Sequence, residues 1–220
     1  MSQAFVDITS NRASALESGL VLTSNDRLRR DLIRSYDLHQ QRLGFRVWPR
    51  PAVLSLSGWW LQLYQRAADE DVAFPELLSR ERAYLLFREL APDRAAELSG
   101  QALAAWDLVQ QWTIPLDDPG FGSTEDSRLF VRWARRFRDT LSERKQITAS
   151  QLADIEALDA FIGNQTITCL EFESPSAQVR SWRARLIAMG IPVEMLYQPQ
   201  TSACAPTRFT FDDLDDELSA

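Results

Sequence analysis

The residues with the clearest capacity for chemistry lie in one stretch, where a short apolar run meets polar and then basic residues. The run 20–22 precedes Thr23-Ser24-Asn25, and an arginine-rich segment begins at Arg27. This pattern is typical of a buried parallel strand that leads directly into an amphipathic helix capped by the polar residues. In nucleotide-binding α/β proteins, such a junction holds phosphate.

The parts of a phosphate-binding loop are missing from this junction. Such a loop needs glycines, so that the backbone can wrap the anion, and a lysine that reaches the terminal phosphates. Neither residue type occurs between Val21 and Arg30, and the only lysine of the chain is Lys145. We therefore expect a nucleotide-fold junction without nucleotide chemistry, and no cofactor.

Three arginines of the predicted helix are candidates for contact with the phosphates of a nucleic acid. Arg27, Arg30 and Arg34 have the spacing i, i+3 and i+7, which places them on one helix face. Together with the helix N-terminus they can contact two or three backbone phosphates. The alternative is a solvated face opposite the apolar stripe, as amphipathic helices usually have.

Two further groups are weaker candidates. A second basic run lies on a helix predicted at 124–146, where interspersed acids dilute the charge and favour a solvated face. Trp59 and Trp60 are adjacent, so on a helix they point about 100° apart and only one is expected in the core. The other, which we assign as Trp60, can stack on a base, although core packing is the commoner role.

Other reactive residue types exclude several classes of site. His39 is the only histidine, which excludes a histidine-dependent triad and a multi-histidine metal site. Cys169 and Cys204 form no CxxC motif, and Cys169 lies in an apolar run, as expected of a buried thiol in a reducing compartment. Nothing fixes the geometry of the acids at 69–71 and 212–217. We expect no metal site and no catalysis.

The composition indicates an ordinary globular protein. The 220 residues are 45% hydrophobic and 25% charged, enough for one large or two small domains. The net charge is −7, but the last nine residues hold five acids and no base, which leaves −2 for the remainder. No signal-peptide pattern and no run near the ~20 apolar residues of a membrane span occur. We expect a cytoplasmic protein with no membrane attachment.

The order of elements predicts an α/β fold whose parallel sheet is interrupted by an all-helical subdomain. A second strand at 53–56 leads into a helix capped by Ser57. Four helices follow, at 79–90, 93–112, 124–146 and 148–162, the last opened by a Thr148/Gln151 capping box. Strands return at 166–172 and 192–196, separated by a helix that Gly190 ends, and 209–211 is a further strand candidate.

We place the domains accordingly. Residues 1–74 and 164–211 form a discontinuous α/β domain, 75–163 a helical insertion, and 212–220 an acidic tail. In the tail, Leu214 and Leu218 are spaced i and i+4 with no further turn to pack. This spacing predicts a helix that continues in a longer relative, and the alternative is a natural acidic terminus.

Particular residues in this order resemble a known family. They are the run 21–28, Tyr36 with Gln40-Gln41, Trp48, the run 51–56, Trp60-Leu61 with Leu63-Tyr64, the run 77–79, Trp112, Pro115, the run 130–134, and Leu170-Glu171-Phe172-Glu173-Ser174-Pro175. The sequence resembles the N-terminal part of a bacterial family of probable DNA repair proteins, similar to the AddB type of helicase-nuclease subunit. The similarity covers most of the chain.

The resemblance implies a degenerate, P-loop-derived superfamily 1 helicase-like fold. Thr23-Ser24-Asn25 would match a junction that contacts single-stranded DNA, and Ser55 and Trp60 would lie on the next DNA-contacting strand and helix. The run 170–175 would take the place of the Walker B strand, but Glu171 and Glu173 are not adjacent carboxylates. The resemblance thus implies a non-catalytic domain that contacts single-stranded DNA or docks a helicase or nuclease partner subunit or domain.

Two other classes of function stay open. One is a structural α/β protein-interaction module that binds no nucleic acid, and the other, a small-molecule enzyme, lacks a convergent nucleophile and base. The position of the arginines distinguishes a protein-interaction module from a DNA-binding domain. A concave surface that Arg27, Arg30 and Arg34 share with Trp59 or Trp60 would favour DNA binding.

The missing glycines and lysine generate a first prediction. We expect no binding of ATP or GTP above background, because nothing in the run 23–26 can wrap or reach the phosphates. Equilibrium dialysis of the full chain with Mg-ATP measures this directly. A dissociation constant below about 100 μM, within the range where enzymes work, would contradict the prediction.

Overall fold

The computed structural model describes residues 16, 19–70, 74–90, 95–163, 165–172 and 174–196. Four of the regions considered above lie outside this part of the chain. They are the strand candidate at 209–211, the tail 212–220, Cys204 and Glu173.

The described residues form six strands and six α-helices. The strands are β1 Leu20–Thr23, β2 Val53–Ser55, β3 Glu76–Leu77, β4 Gln146–Ile147, β5 Ile167–Leu170 and β6 Val193–Leu196. The helices are α1 Asp26–Arg42, α2 Leu56–Asp69, α3 Arg80–Leu90, α4 Ala95–Gln111, α5 Glu125–Glu143 and α6 Ala177–Ala188. Three 3₁₀ turns, Pro119–Gly122, Ala149–Asp154 and Glu156–Phe161, complete the list.

The main sheet has four parallel strands in the order β2-β1-β5-β6. In its centre, Leu22 of β1 pairs with Leu54 on one side and Cys169 on the other. All four residues of β1 and all four of β5 are buried, as expected of central strands covered on both faces. The prediction of an α/β fold with a parallel sheet is therefore confirmed.

Helices cover both faces of this sheet because side chains alternate along each strand. Val21 and Val53 share a cluster with Leu32 and Tyr36 of α1. The alternate residues, such as Leu22, face a larger cluster with α2 and α6. In the larger cluster Trp59 and Trp60 each pack edge-to-face on Trp182, with ring centroids 5.6 and 5.9 Å away.

The residues that cap the helices are those predicted from the sequence, with one correction. Asn25 caps α1, since its Oδ1 accepts from the Leu28 N–H at 2.9 Å. The Thr148/Gln151 capping box is present, with the Thr148 N–H 3.0 Å from Gln151 Oε1. The cap of α2 is Ser55 and not Ser57, because the helix begins two residues earlier than predicted, directly at the end of β2.

The insertion differs from the predicted all-helical subdomain. The chain enters it along β3 and leaves along β4, and these two short strands pair in parallel. Two-residue strands carry no alternation pattern that a sequence could reveal. They form because the two connections run side by side, with the Glu76 N–H 2.8 Å from the Lys145 carbonyl oxygen.

The helix predicted at 148–162 is instead two 3₁₀ turns separated by Ile155, whose ψ of 93° is extended. The break lets Leu152 and Leu158 both pack into the core beneath the sheet. A separate cluster, centred on Phe87, Trp106 and Phe137, holds α3, α4 and α5 together. By packing, the two turns therefore belong with the α/β layer and the three helices form their own core. The proposed domain boundaries stay predictions.

Among the described residues, no helix has the length and apolarity needed to cross a bilayer.

The end of α5 generates a stability prediction. Lys145 has φ +51° directly after the C-cap Arg144, and an L-residue there costs roughly 1–2 kcal/mol relative to the right-handed region. Lys145→Gly should raise the free energy of unfolding by roughly 0.5–1 kcal/mol, because relief of this backbone conformation exceeds the cost of the extra entropy that glycine has in the unfolded chain. Urea denaturation measures it, with Arg144→Gly as the control, since Arg144 has φ −86° and its replacement should destabilise.

Candidate functional site

The fold creates a topological switch point between β1 and β5. From β1 the chain continues to β2 on one side through α1, and from β5 it continues to β6 on the other side through α6. The carboxyl ends of β1 and β5 therefore lie side by side where the two connections diverge. In open α/β sheets this is the usual place of a ligand. A cleft of about 770 Å³ opens here, between the sheet edge and the insertion.

Hydroxyl groups dominate the polar lining of the cleft. Five of the described serines line it, from the sheet edge and from the insertion: Ser24, Ser57, Ser150, Ser174 and Ser176. The first residues of α2 and the residues that lead into α6 also lie in the wall. The first N–H groups of a helix have no partner within it and sit at the positive end of its dipole. The wall is therefore suited to anionic or hydroxyl-bearing ligands.

Among the described residues, three charged side chains line the cleft. Arg80 is 74% exposed at the side chain, and its closest approach to Asp107 is 4.0 Å, so this guanidinium is held weakly. Asp107 and Glu171 carry the opposing charges. Because two of these three residues are acids, the described part of the lining is not strongly attractive to a compact, multiply charged anion.

Glu171 has an unusual backbone at the end of β5. Its φ is +57°, a conformation that costs a residue with a side chain of order 1–3 kcal/mol. The turn is held by the Glu171 N–H, which donates to the Leu196 carbonyl oxygen at 3.0 Å. The chain therefore leaves the central strand abruptly, which places Glu171 and Phe172 in the cleft wall.

Trp60 lies in the cleft wall but is not available for stacking. It is 9% exposed and its ring packs against Trp182. Trp59 is 1% exposed, so both tryptophans are in the core and the expectation that only one would be is wrong. The α2 helix is covered on two sides, by the sheet and by the 3₁₀ turns, which accounts for the wide apolar face. Trp60 Nε1 has no hydrogen-bond partner within the described chain.

Thr23 and Ser55 are also corrected as contact residues. Thr23 is fully buried, and its hydroxyl donates to the Asn25 carbonyl oxygen at 2.9 Å. Ser55 is 3% exposed, and its Oγ accepts from the Gly58 N–H at 3.4 Å as the cap of α2. Both side chains shape the strand ends rather than face a ligand.

Ser24 and Asn25 remain at the exposed edge. Ser24 lines the cleft, and its Oγ accepts from Asn25 Nδ2 at 3.2 Å. The Oδ1 of Asn25 is occupied by its capping role. Ser24 is thus the predicted residue that connects α1 with the cleft.

Arg27, Arg30 and Arg34 are exposed on α1 as predicted, but none of them lines the cleft. They lie on the helix that covers the opposite face of the sheet from the tryptophans. The concave surface shared with Trp59 or Trp60 is therefore not formed. Among described residues, Arg27 and Arg34 have no ion-pair partner, so both charges face solvent.

Asp26 limits the charge of the same helix. Its carboxylate accepts from Arg29 Nε at 2.9 Å, and Arg30 Nε lies 3.3 Å from the Asp26 carbonyl oxygen. The hydrogen bond from Arg29, followed by one from Ser55, lowers the pKa of the Asp26 carboxyl. Asp26 therefore stays charged near neutral pH and competes with any phosphate for Arg29.

Sequence reasoning missed the cleft residues contributed by the insertion, including Arg80, Asp107 and Ser150. No local pattern distinguishes them, since only the tertiary fold brings them to the sheet edge. A signal did exist for Ser176, because a serine after Pro175 at the end of a strand is a typical helix cap.

The other candidates have structural roles. Arg135 donates to the Leu116 carbonyl oxygen at 3.1 Å and Arg138 pairs with Asp139 at 2.9 Å, as expected of a solvated basic face on α5. Cys169 is buried, and burial raises the pKa of its thiol to about 12. No group of three metal-ligating residues is found in the described ranges.

The sequence matches no protein-family model and no curated protein.

The cleft wall generates a prediction at Gln178, which is 2% exposed. Its Nε2 donates to the Ser150 carbonyl oxygen at 2.7 Å and to Asp154 Oδ2 at 2.8 Å, which fixes the turn Ala149–Asp154 against α6. Gln178→Glu should lower the free energy of unfolding at pH 7 by at least about 2 kcal/mol, because it buries a carboxylate against two oxygen acceptors.

The pH dependence checks the cause. Burial raises the folded-state pKa of the new carboxyl, so the deficit should be small below about pH 4.3, its unfolded-state pKa, and should grow as the pH rises through the folded value. Urea denaturation across pH measures this. The exposed Gln101→Glu is the control, and a pH-independent deficit at 178 would contradict the prediction.

Proposed function

We propose that this protein is a non-catalytic, helicase-like DNA-repair domain that binds single-stranded DNA along the carboxyl edge of its parallel sheet. The observation that carries the proposal is the cleft at the switch point, which opens next to the first turn of a helix with exposed arginines. Phosphate contacts in nucleic-acid complexes come from such groups, namely arginines, hydroxyls, backbone N–H groups and helix N-termini.

The arginines, hydroxyl groups and helix starts define a path for the single-stranded DNA. It begins on the exposed face of α1, where Arg27 and Arg30 contact phosphates, and crosses the sheet edge at Ser24. It then continues past the helix starts in the cleft wall to Arg80. A chain of phosphates spread along this path suits the site better than one compact anion, because the described lining of the cleft contributes a single arginine, Arg80.

Binding along this path is sequence-tolerant. The groups involved are arginines, hydroxyls and backbone N–H groups that recognise the phosphate backbone. Base stacking, which strengthens many single-strand sites, is not expected from Trp60, because its ring is in the core. The affinity is therefore electrostatic and falls with salt.

The order of elements supports the helicase-like part of the proposal. Two strand-helix units precede an insertion, and the strand β5 returns next to β1. The resemblance to AddB-type subunits implies this arrangement. It also implies that the fold docks a helicase or nuclease partner subunit or domain, and we propose that this takes place in the cytoplasm. If single-stranded DNA does not bind, the function that remains is a structural module without nucleic-acid binding.

A salt titration tests the proposal. Two or three phosphate contacts give a log-log slope of the binding constant against salt of roughly −1.4 to −2.1. Arg27→Ala with Arg30→Ala should flatten this slope by about one to one and a half units, because about 0.7 is lost per contact. Fluorescence anisotropy of a labelled oligothymidylate with the full chain measures it.

The matched control is Arg132→Ala with Arg136→Ala, two exposed arginines on α5 that change the net charge equally. Their replacement should leave the slope within about a third of a unit, since they lie outside the path. An equal effect of both double variants, or no measurable binding by the unmodified chain, would overturn the proposal.

A further inference from the structure

A second surface lies at the opposite edge of the sheet, where α1 ends and the chain leads to β2. Here Leu43 is 58% exposed, Phe45 55% and Val47 87%. Large apolar side chains scattered singly on a surface are ordinary, but three such residues exposed within five positions of the sequence are grouped, and grouped apolar exposure marks an interaction site. We call residues 42–50 the 42–50 surface.

The 42–50 surface is also cationic. Arg42, Arg46 and Arg50 are exposed within it, and no aspartate or glutamate occurs in the sequence between Asp37 and Asp69. Asp37 itself accepts a hydrogen bond from Trp48 Nε1 at 2.8 Å, which anchors the segment to α1. The complementary occupant is an amphipathic segment that combines acids with large apolar residues.

The same chain contains such a segment outside the described residues. Phe211, Leu214 and Leu218 have the spacing i, i+3 and i+7, which is one face of a helix. Five acids and no base lie between them, at 212, 213, 215, 216 and 217. We propose that residues 211–218 dock as an acidic amphipathic helix on the 42–50 surface of their own chain.

The connection is long enough for this contact. Fourteen residues separate Leu196, the last residue of β6, from Phe211, and extended they span roughly 46–50 Å. The sheet between β6 and β2 is three strand spacings wide, about 14 Å, and its strands are about 13 Å long. The intramolecular contact also has the advantage of a high effective concentration.

The 42–50 surface differs in charge from a second group of exposed apolar residues. Leu108, Trp112 and Ile114 are 53%, 43% and 36% exposed at the end of α4. Asp107 adjoins that group on one side and Asp117 and Asp118 follow it on the other. These carboxylates repel an acidic segment, whereas the arginines of the 42–50 surface attract it.

Methyl NMR of the full chain tests the proposal. In the variant Leu214→Ser with Leu218→Ser, the methyl signals of Leu43 and Val47 should move, because the side chains that cover them are lost. Leu108→Ser is the matched control and should leave both signals in place. Leu108 lies outside the three described clusters, so its replacement should leave the fold in place. Unchanged Leu43 and Val47 signals in the double variant would overturn the proposal.

Charge reversal provides the second arm. Arg46→Glu should shift the same methyl signals in the direction of the double variant, and adding Asp215→Arg should restore them at least in part. A signal position that depends on protein concentration would assign the contact to a second copy of the chain and would overturn the intramolecular proposal. Failure of the restoration would overturn the assigned charge pairing.

Discussion

The structure depends on the parallel pairing of β1 with β5, two strands separated in sequence by α1, α2 and the whole insertion. Leu22 and Cys169 are partners in this pairing, and both are almost completely buried. The pairing positions Ser24 and Glu171 side by side and creates the switch point where the cleft opens. The Asp159–Arg185 ion pair and the Gln178 hydrogen bonds then tie the returning chain to α6. Loss of the strand pairing would remove the cleft with the fold.

The charges around the cleft constrain which ligand suits it. Asp26 neutralises part of α1, and Asp107 and Glu171 oppose Arg80, so the described lining of the cleft does not concentrate positive charge. A nucleotide triphosphate needs such a point, together with glycines that admit its phosphates. A single strand distributes its charge over many ångströms and needs only separate, weak contacts. This difference is the basis for proposing an extended anionic chain as the ligand.

The strands of the main sheet and the cap of α1 could be predicted because their signals are local. An apolar run followed by Asn25 predicts a strand and a helix start, and the structure has both. The turns at 149–161 and the burial of both Trp59 and Trp60 could not be predicted, because the helix α2 is covered from two sides only in the folded chain. The position of Arg80 could not be predicted either, because the insertion and its β3–β4 strand pair bring it to the sheet edge only in the folded chain.

Hydrogen exchange of the full chain, with and without a saturating oligothymidylate, shows whether single-stranded DNA follows the carboxyl edge of the sheet. Backbone amides at the start of α1, at the start of α2 and at 174–178 should become protected, with little change along α5. Protection confined to α5 or to residues 42–50, with the carboxyl edge of the sheet unchanged, would contradict the proposal.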